Sequence, residues 1–262
     1  MSETVTLEIK DHIAHLTLNR PEKMNAVTEE LIADLLAGVA EIKASSARVV
    51  LLAGAGKAFC AGLDTANFQR FLSEDLDKLV MERTHGDGNA FQAFSLALHD
   101  LPIPVIAAIQ GPCFGAGMQL AIAADIRVAG PEAQFSIMEM KWGLVPDMGG
   151  MVLFPRVLRS DVLRLLTFTN EVLPAERALG FGLVTELAGE AHARALQIAE
   201  AIAGKSPSAM QAAKRLIGTA ESSHDRAHIL MEESREQRAL IGSNHQMESV
   251  MAQMQKRAAV YE

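Results

Sequence analysis

The chain has 262 residues, enough for one large domain or a domain with an appendage, and its 49% apolar and 21% charged residues argue against a disordered chain. Lys plus Arg number 24 and Asp plus Glu 32, a formal charge of −8 that disfavours a nucleic-acid partner but leaves room for a local basic site for a small phosphate. Only two cysteines, no apolar run of about 18 residues and no leader pattern in Met-Ser-Glu-Thr-Val exclude a disulfide framework or four-thiolate zinc site and predict a cytoplasmic protein with no membrane span.

In chain order, Val5, Leu7 and Ile9 alternate with polar neighbours and Ile13–Leu18 is a second extended run. The pair reads as a hairpin turning at Lys10, Asp11 and His12. Thr28 before Glu29 and Glu30 predicts a helix N-cap, with Leu31, Leu35, Leu36, Val39 and Ile42 on one face. Arg48–Ala53, Val105–Gln110 and Ile126–Ala129 read as buried strands. Between the first two, 65–100 reads as two helical stretches broken at Gly86-Asp87-Gly88. Gly111–Asp125 starts with glycines and becomes an Ala/Leu/Ile helix. From about 156 helices dominate, interrupted by an extended Leu183–Leu187. Strands alternating with helices predict an α/β fold with parallel crossovers, a mixed core over 1–205 and a helical region over 206–262.

Several fragments fail the chemistry they suggest. Gly54-Ala-Gly56-Lys57-Ala58 has the wrong glycine spacing for a phosphate loop, and no Ser or Thr follows the lysine. Gly115-Ala-Gly117 lacks the third glycine of a dinucleotide fingerprint. His224 and His228 share a helical spacing without a third ligand and read as surface residues, as does His85. Ser and Cys nucleophiles have no neighbouring base in the sequence.

Three segments remain. Lys57–Asp64 and Gln110–Gln119 are small-residue turns at strand ends, where free N–H groups can face a crevice; the same turns would equally serve as tight packing. Phe135–Gly150 carries Glu139 and Asp147, separated by turns at Gly143 and Pro146. Met138, Met140 and Trp142 around Glu139 predict a raised pKa, whereas a helix starting near Gly149-Gly150 would favour ionised Asp147. Carboxyls pushed apart in this way form an acid/base pair; the plainer reading is a cap and a surface acid.

Taken together, these segments resemble the enoyl-CoA hydratase/isomerase family, the crotonase superfamily. The likeness runs through Arg20-Pro21, Asn25-Ala26, Phe59–Asp64, Pro104–Gly117, Ala133-Gln-Phe135, Gly143-Leu-Val-Pro146, Gly182-Leu-Val184, Ser206-Pro207 and Lys214, in the family's order. It implies a spiral of strand–strand–helix units with a C-terminal helical trimerisation region, and a homotrimer or a dimer of trimers. It implies an acyl-CoA thioester substrate, with coenzyme A as part of the substrate and no other cofactor or metal. The N–H groups of Leu63 and Ala116 fall where the family binds the thioester oxygen, and the second position is usually Gly. Met24, Ala26, Ala61, Gly62, Asp64 and Gln119 are implied to contact substrate. A Lys or Arg near the C-terminus, Lys256 or Arg257, is implied to meet a CoA phosphate. Residues 65–100 are expected to shape the acyl pocket, with Phe68, Phe71, Phe91 and Phe94 as lining or as core.

The sequence departs from the hydratase pattern at Gln119, where hydratases and dienoyl-CoA isomerases both carry an acid. A carboxamide does not titrate near pH 7, although it can hold a water or a carbonyl. Glu139 with Asp147 resembles the acid pair of dienoyl-CoA isomerases. The leading expectation is therefore double-bond isomerisation by this pair. The alternatives are hydration using Glu139 with water oriented by Gln119, other crotonase chemistry such as thioester hydrolysis or dehalogenation at Asp147, and a non-catalytic acyl-CoA- or RNA-binding relative.

Overall fold

The computed structural model describes residues 4–67, 71 and 73–261. Val5–Lys10 (β1) and Ile13–Leu18 (β2) form the hairpin, turning through Asp11 and His12, both at positive φ. Thr28 caps Glu29–Lys43 (α1), its hydroxyl accepting from Leu31 N at 3.2 Å. Val49–Gly54 (β3), Val105–Ile109 (β4), Ile126–Ala129 (β6) and Glu186–Leu187 (β9) extend the sheet in parallel, in the order β1-β2-β3-β4-β6-β9.

Pro112–Phe114 (β5), Gln134–Ser136 (β7) and Leu173–Pro174 (β8) make a second, smaller sheet in the order β5-β7-β8. Successive units place one strand in each sheet: β4 then β5, followed by the helix Ala116–Ala121 (α3), and β6 then β7. This is the strand–strand–helix spiral the sequence implies. The short strands of the second sheet escape the sequence reading, because two or three residues cannot display a period.

β3 is buried on both faces, so its apolar run is continuous rather than alternating. Val50 and Leu52 join Leu16, Leu18, Ala107 and Ile109 in the main core, with Leu31 and Leu35 of α1 and Phe94 and Leu98 of Ala90–His99 (α2). Val49, Leu51 and Ala53 face the other way with Ile106, Ala108 and Val128. There they meet Ala191, Ala195, Ala199 and Ala203 of Ala191–Ala203 (α7), a small-residue stripe that lets the helix lie close to the sheet.

Within 65–100, part of the stretch before the breaker lies outside the described residues; among the described ones are a π-type turn, Asp77–Met81, and, after the breaker, α2, whose start carries a capping box of Asn89 and Gln92. Gly150–Val157 (α4) packs on α3, Ser160–Thr169 (α5) on α4 and the 139–142 turn, and Ala175–Gly180 (α6) on β7 and β8 of the second sheet. The C-terminal region is three helices, Pro207–Ser222 (α8), Arg226–Leu240 (α9) and Asn244–Gln255 (α10), each started by a side-chain cap, Ser206, Asp225 and Ser243.

Candidate active site

The two glycine turns lie side by side at the carboxyl ends of β3 and β4, the place where ligands settle in α/β sheets. Backbone bonds tie one turn to the other: Phe59 N donates to Gln110 O at 2.8 Å, Cys60 N to Pro112 O at 3.1 Å and Phe114 N to Cys60 O at 2.9 Å. Cys60 and Cys113 form a parallel bridge within this seam. Both thiols are buried, and burial pushes Cys60 up to about 12, which keeps it neutral and inert as a nucleophile.

Each turn ends in an amide with nothing to bond. Neither Leu63 N–H nor Ala116 N–H has a hydrogen-bond acceptor among the described residues. Gly62 adopts φ +100 to aim the Leu63 amide, and a Cβ there would sit 3.0 Å from Phe114 O and 3.9 Å from Ala116 N. That closeness puts the Ala116 amide beside the turn that carries Leu63. The unusual dihedrals of the second turn fall on Gly115 (φ 49, ψ −118), one residue before Ala116. Ala116 opens α3 without a positive φ, so its Cβ is accommodated and the donor survives the family's usual Gly.

Glu139 opens a short 3-10 turn, Glu139–Trp142, and backs onto the second glycine turn: a Cβ on Gly115 would lie 3.4 Å from Glu139 Oε1. Its Oε1 accepts from Gln119 Nε2 at 2.6 Å, while its Oε2 is buried with no partner. Burial raises the Glu139 pKa, and the charge of Asp147 adds to the rise. Of the three apolar neighbours expected to contribute, Met138 is half-buried, whereas Met140 and Trp142 are 41% and 49% exposed.

Asp147 is exposed, and its shift corrects the sequence expectation. α4 begins at Gly150 with Gly149 as its cap, and Asp147 makes no side-chain cap there. Loss of water around the carboxyl raises its pKa instead of holding it down. Both acids are therefore raised, and the expected opposition between them is absent. What separates them is exposure: Glu139 is half-buried, Asp147 open.

The remaining candidates divide. Gln119 is 1% exposed, and its oxygen accepts from Met148 N at 2.9 Å and Gly150 N at 3.0 Å. Asp64 is paired with Arg20 at 3.2 Å and accepts from Ala66 N, so its carboxylate braces the loop. Ala61 N donates to Met24 O at 2.9 Å, and Ala26 O accepts from the Arg20 guanidinium, which commits these groups to the early loop as well. Met24 stays partly exposed in a left-handed conformation beside that loop. Arg257 forms a two-point pair with Glu248, while Lys256 ends α10 exposed. Phe91 and Phe94 belong to the core, Phe71 packs edge-on against Phe91 at 6.2 Å, and Phe68 lies outside the described residues.

A cavity of about 490 Å³ between α1 and the stretch around Asp77–Met81 touches none of Leu63, Ala116, Glu139 or Asp147 and stands apart from this site. His85, His224 and His228 are exposed, and among the described residues no three His, Cys, Asp or Glu side chains gather as a metal site would require.

Sequence reasoning missed Asn25 as the hub of the site's floor. The side chain is fully buried, accepts from Arg20 N at 2.8 Å and donates to Ala55 O, Ala58 O and Phe59 O at 2.9, 2.9 and 3.1 Å. The signal was a polar residue between apolar ones beside Arg20-Pro21, which no local period explains.

Comparison with known proteins gives a consistent picture. The family described as enoyl-CoA hydratase/isomerase matches residues 8–262. (E)-benzylidenesuccinyl-CoA hydratase of Thauera aromatica is 34% identical over 215 residues, 80% of each chain. The mitochondrial Delta(3,5)-Delta(2,4)-dienoyl-CoA isomerase of Mus musculus is 32% identical over 263 residues, 94% of this chain and 77% of that one. The crystal structure of an enoyl-CoA hydratase from Mycobacterium tuberculosis superposes with a TM-score of 0.86 at 30% identity, covering 100% of this chain and 99% of that one.

Proposed function

The chain belongs to the enoyl-CoA hydratase/isomerase family and is an enzyme of that family, and from this premise we propose that it moves a double bond in an enoyl- or dienoyl-CoA thioester. The thioester oxygen accepts from Leu63 N–H and Ala116 N–H. Asp147, the more open acid and the one with the lower ordinary pKa, takes a proton from carbon. The C–H electron pair flows toward the oxygen, and the resulting enolate is held by the two amides, a type of contact worth ~10²–10³ in rate per donor. Glu139, whose neutral form is favoured by burial, returns a proton at the other end of the conjugated system. Coenzyme A is part of the substrate, and the scheme calls for no further cofactor.

The observation that carries this reading is a buried carboxyl oxygen without a partner, Glu139 Oε2, on a residue whose other oxygen borders the second glycine turn, together with two amides that have no acceptor among the described residues. A buried acceptor left alone is costly, and a substrate or water is the natural partner. Hydration is the second reading, favoured by the same lone oxygen, which could activate a water, and by the hydratase relatives. A panel of acyl-CoA esters incubated in ordinary and heavy water and weighed by mass spectrometry separates the two. Deuterium uptake without added mass of water is expected. Gain of one water would make the enzyme a hydratase, and neither change with any ester would overturn the proposal.

We also place the enzyme in the cytoplasm as a trimer or a dimer of trimers. Among the described residues no helix is long and apolar enough to cross a membrane. α9 buries none of its residues, and Leu230, Met231, Met247, Val250 and Met251 are left exposed on the C-terminal helices. Such a surface supports burial against another copy. Sedimentation equilibrium reads the mass directly.

A further inference from the structure

Gln119 lies between the second glycine turn and the loop that carries Asp147. Its side-chain oxygen faces two backbone N–H groups, those of Met148 and Gly150. A backbone N–H can only donate, so the atom facing both must be the oxygen, and the orientation of the amide is settled by the network itself. The nitrogen is thereby turned onto Glu139 Oε1 at 2.6 Å. That nitrogen is a donor and cannot accept. A proton on Glu139 Oε1 would face an N–H head-on, whereas Oε2 is buried with no partner and a proton there meets no competing donor.

We infer that Gln119 is a positioning residue that holds Glu139 by its inner oxygen, so that proton exchange with substrate runs through Oε2 alone, and that ties this choice to the loop bearing Asp147. The inference rests on the proton-transfer reading above. It gives Gln119 a role other than holding a substrate carbonyl or a water: both lone pairs of its oxygen are occupied, and at most one N–H remains. It also gives a reason for an amide at this position. A carboxylate would accept from Met148 and Gly150 equally well, but it would repel Glu139 unless the two shared a proton. The charge of Asp147 already acts on Glu139 in the raising direction, and a negative charge added at 119 would act the same way.

The experiment compares Gln119→Glu and Gln119→Met with the wild-type enzyme through kcat and KM across pH, on the thioester that turns over best. Gln119→Glu keeps the acceptor for the two amides and removes the donor to Glu139. The alkaline limb of kcat should move up by about one pH unit or more, with KM within about twofold. Gln119→Met removes both functions; its limb should move the same way by less, and kcat should fall about tenfold or more through loss of the loop anchor. Wild-type limbs in both variants, folded by circular dichroism, would overturn the inference. Glu139→Gln is the separate control: full turnover in that variant sinks the proton-transfer reading itself, whereas its loss together with unmoved limbs sinks only the role of Gln119.

Discussion

The two amide-bearing turns and the acid-bearing segment 138–150 adjoin each other at Gly115 and Glu139 but are held by different forces. The turns hang from the sheet: main-chain bonds between Phe59 and Gln110, Cys60 and Pro112, and Phe114 and Cys60 stitch them together, and Gly115 N reaches Ser136 O at 2.9 Å. The acid segment has a one-turn 3-10 helix without a side-chain cap, a Leu144 N to Glu139 O bond at 3.1 Å, and the clamp from Gln119. Donors made of backbone inherit the rigidity of the fold. Acids made of side chains are placed by other side chains, so their geometry and proton affinity can be altered with the fold left intact. A scaffold that separates the two can keep an oxyanion site while its proton chemistry diverges.

The comparison predicts that damage to the acids is chemical and damage to the turns is structural. Glu139→Gln should lower kcat by ~10²–10⁴ with KM nearly unchanged, because the group acts in the transition state and contributes little to ground-state binding. Asp147→Asn should follow it closely. Steady-state kinetics on the best thioester checks both, and a large rise in KM with normal kcat would place these acids in binding instead.

Gly62→Ala attacks the other side. At φ +100 any Cβ is strained, and this one would meet Phe114 O at 3.0 Å. The Leu63 amide should swing away, costing ~10² in kcat, the price of one oxyanion donor. The loss should carry a lower melting temperature, which Glu139→Gln should not. If the alanine variant melts normally and loses no activity, the Leu63 amide is not a donor to substrate.

Asn25→Ala tests how cleanly the division holds. It leaves the buried carbonyls Ala58 O and Phe59 O and the part-buried Ala55 O without this donor, and Asn25 itself sits at φ 55, where a small side chain is disfavoured. We expect a loss of about 3 kcal/mol in urea denaturation. Activity should fall because the first turn shifts, which would show that the backbone frame has one side-chain dependence of its own.

What the sequence disclosed follows the same division. The hairpin, α1 with its Thr28 cap and strands β3, β4 and β6 were legible because apolar runs and turn residues are local signals. The two turns could be seen as small-residue breaks at strand ends. The second sheet could not, since β5 and β7 are three residues each and exist only because the spiral brings them together. Glu139 and Asp147 could be nominated, but the direction of the Asp147 shift could not: a nearby helix start suggested stabilised charge, and the folded loop removes water without offering the carboxyl a cap. The inward commitment of Gln119 was hidden for the same reason, because its partners Glu139, Met148 and Gly150 are distant in the chain.

The smallest expected effect concerns stability and separates the two regions by pH. Glu139 has a folded pKa above its unfolded value, so the folded state holds the proton more tightly than the unfolded one. Below the unfolded value both states are protonated and the side chain carries no ionisation penalty. As pH rises through the window between the two values, the unfolded chain ionises first and stability falls; above the folded value the penalty is complete. Glu139→Gln cannot ionise and escapes that penalty. Its melting temperature should exceed that of the wild type by a small margin at pH 8, and the gap should close as pH drops toward 4. Gly62→Ala should show a deficit that does not vary over the same range, since strain and a misplaced amide do not titrate. Differential scanning fluorimetry of the three proteins from pH 4 to 8 reads both trends. A gap for Glu139→Gln that widens toward acid would mean that Glu139 is stabilised as a carboxylate, and its part as the proton donor would have to pass to Asp147.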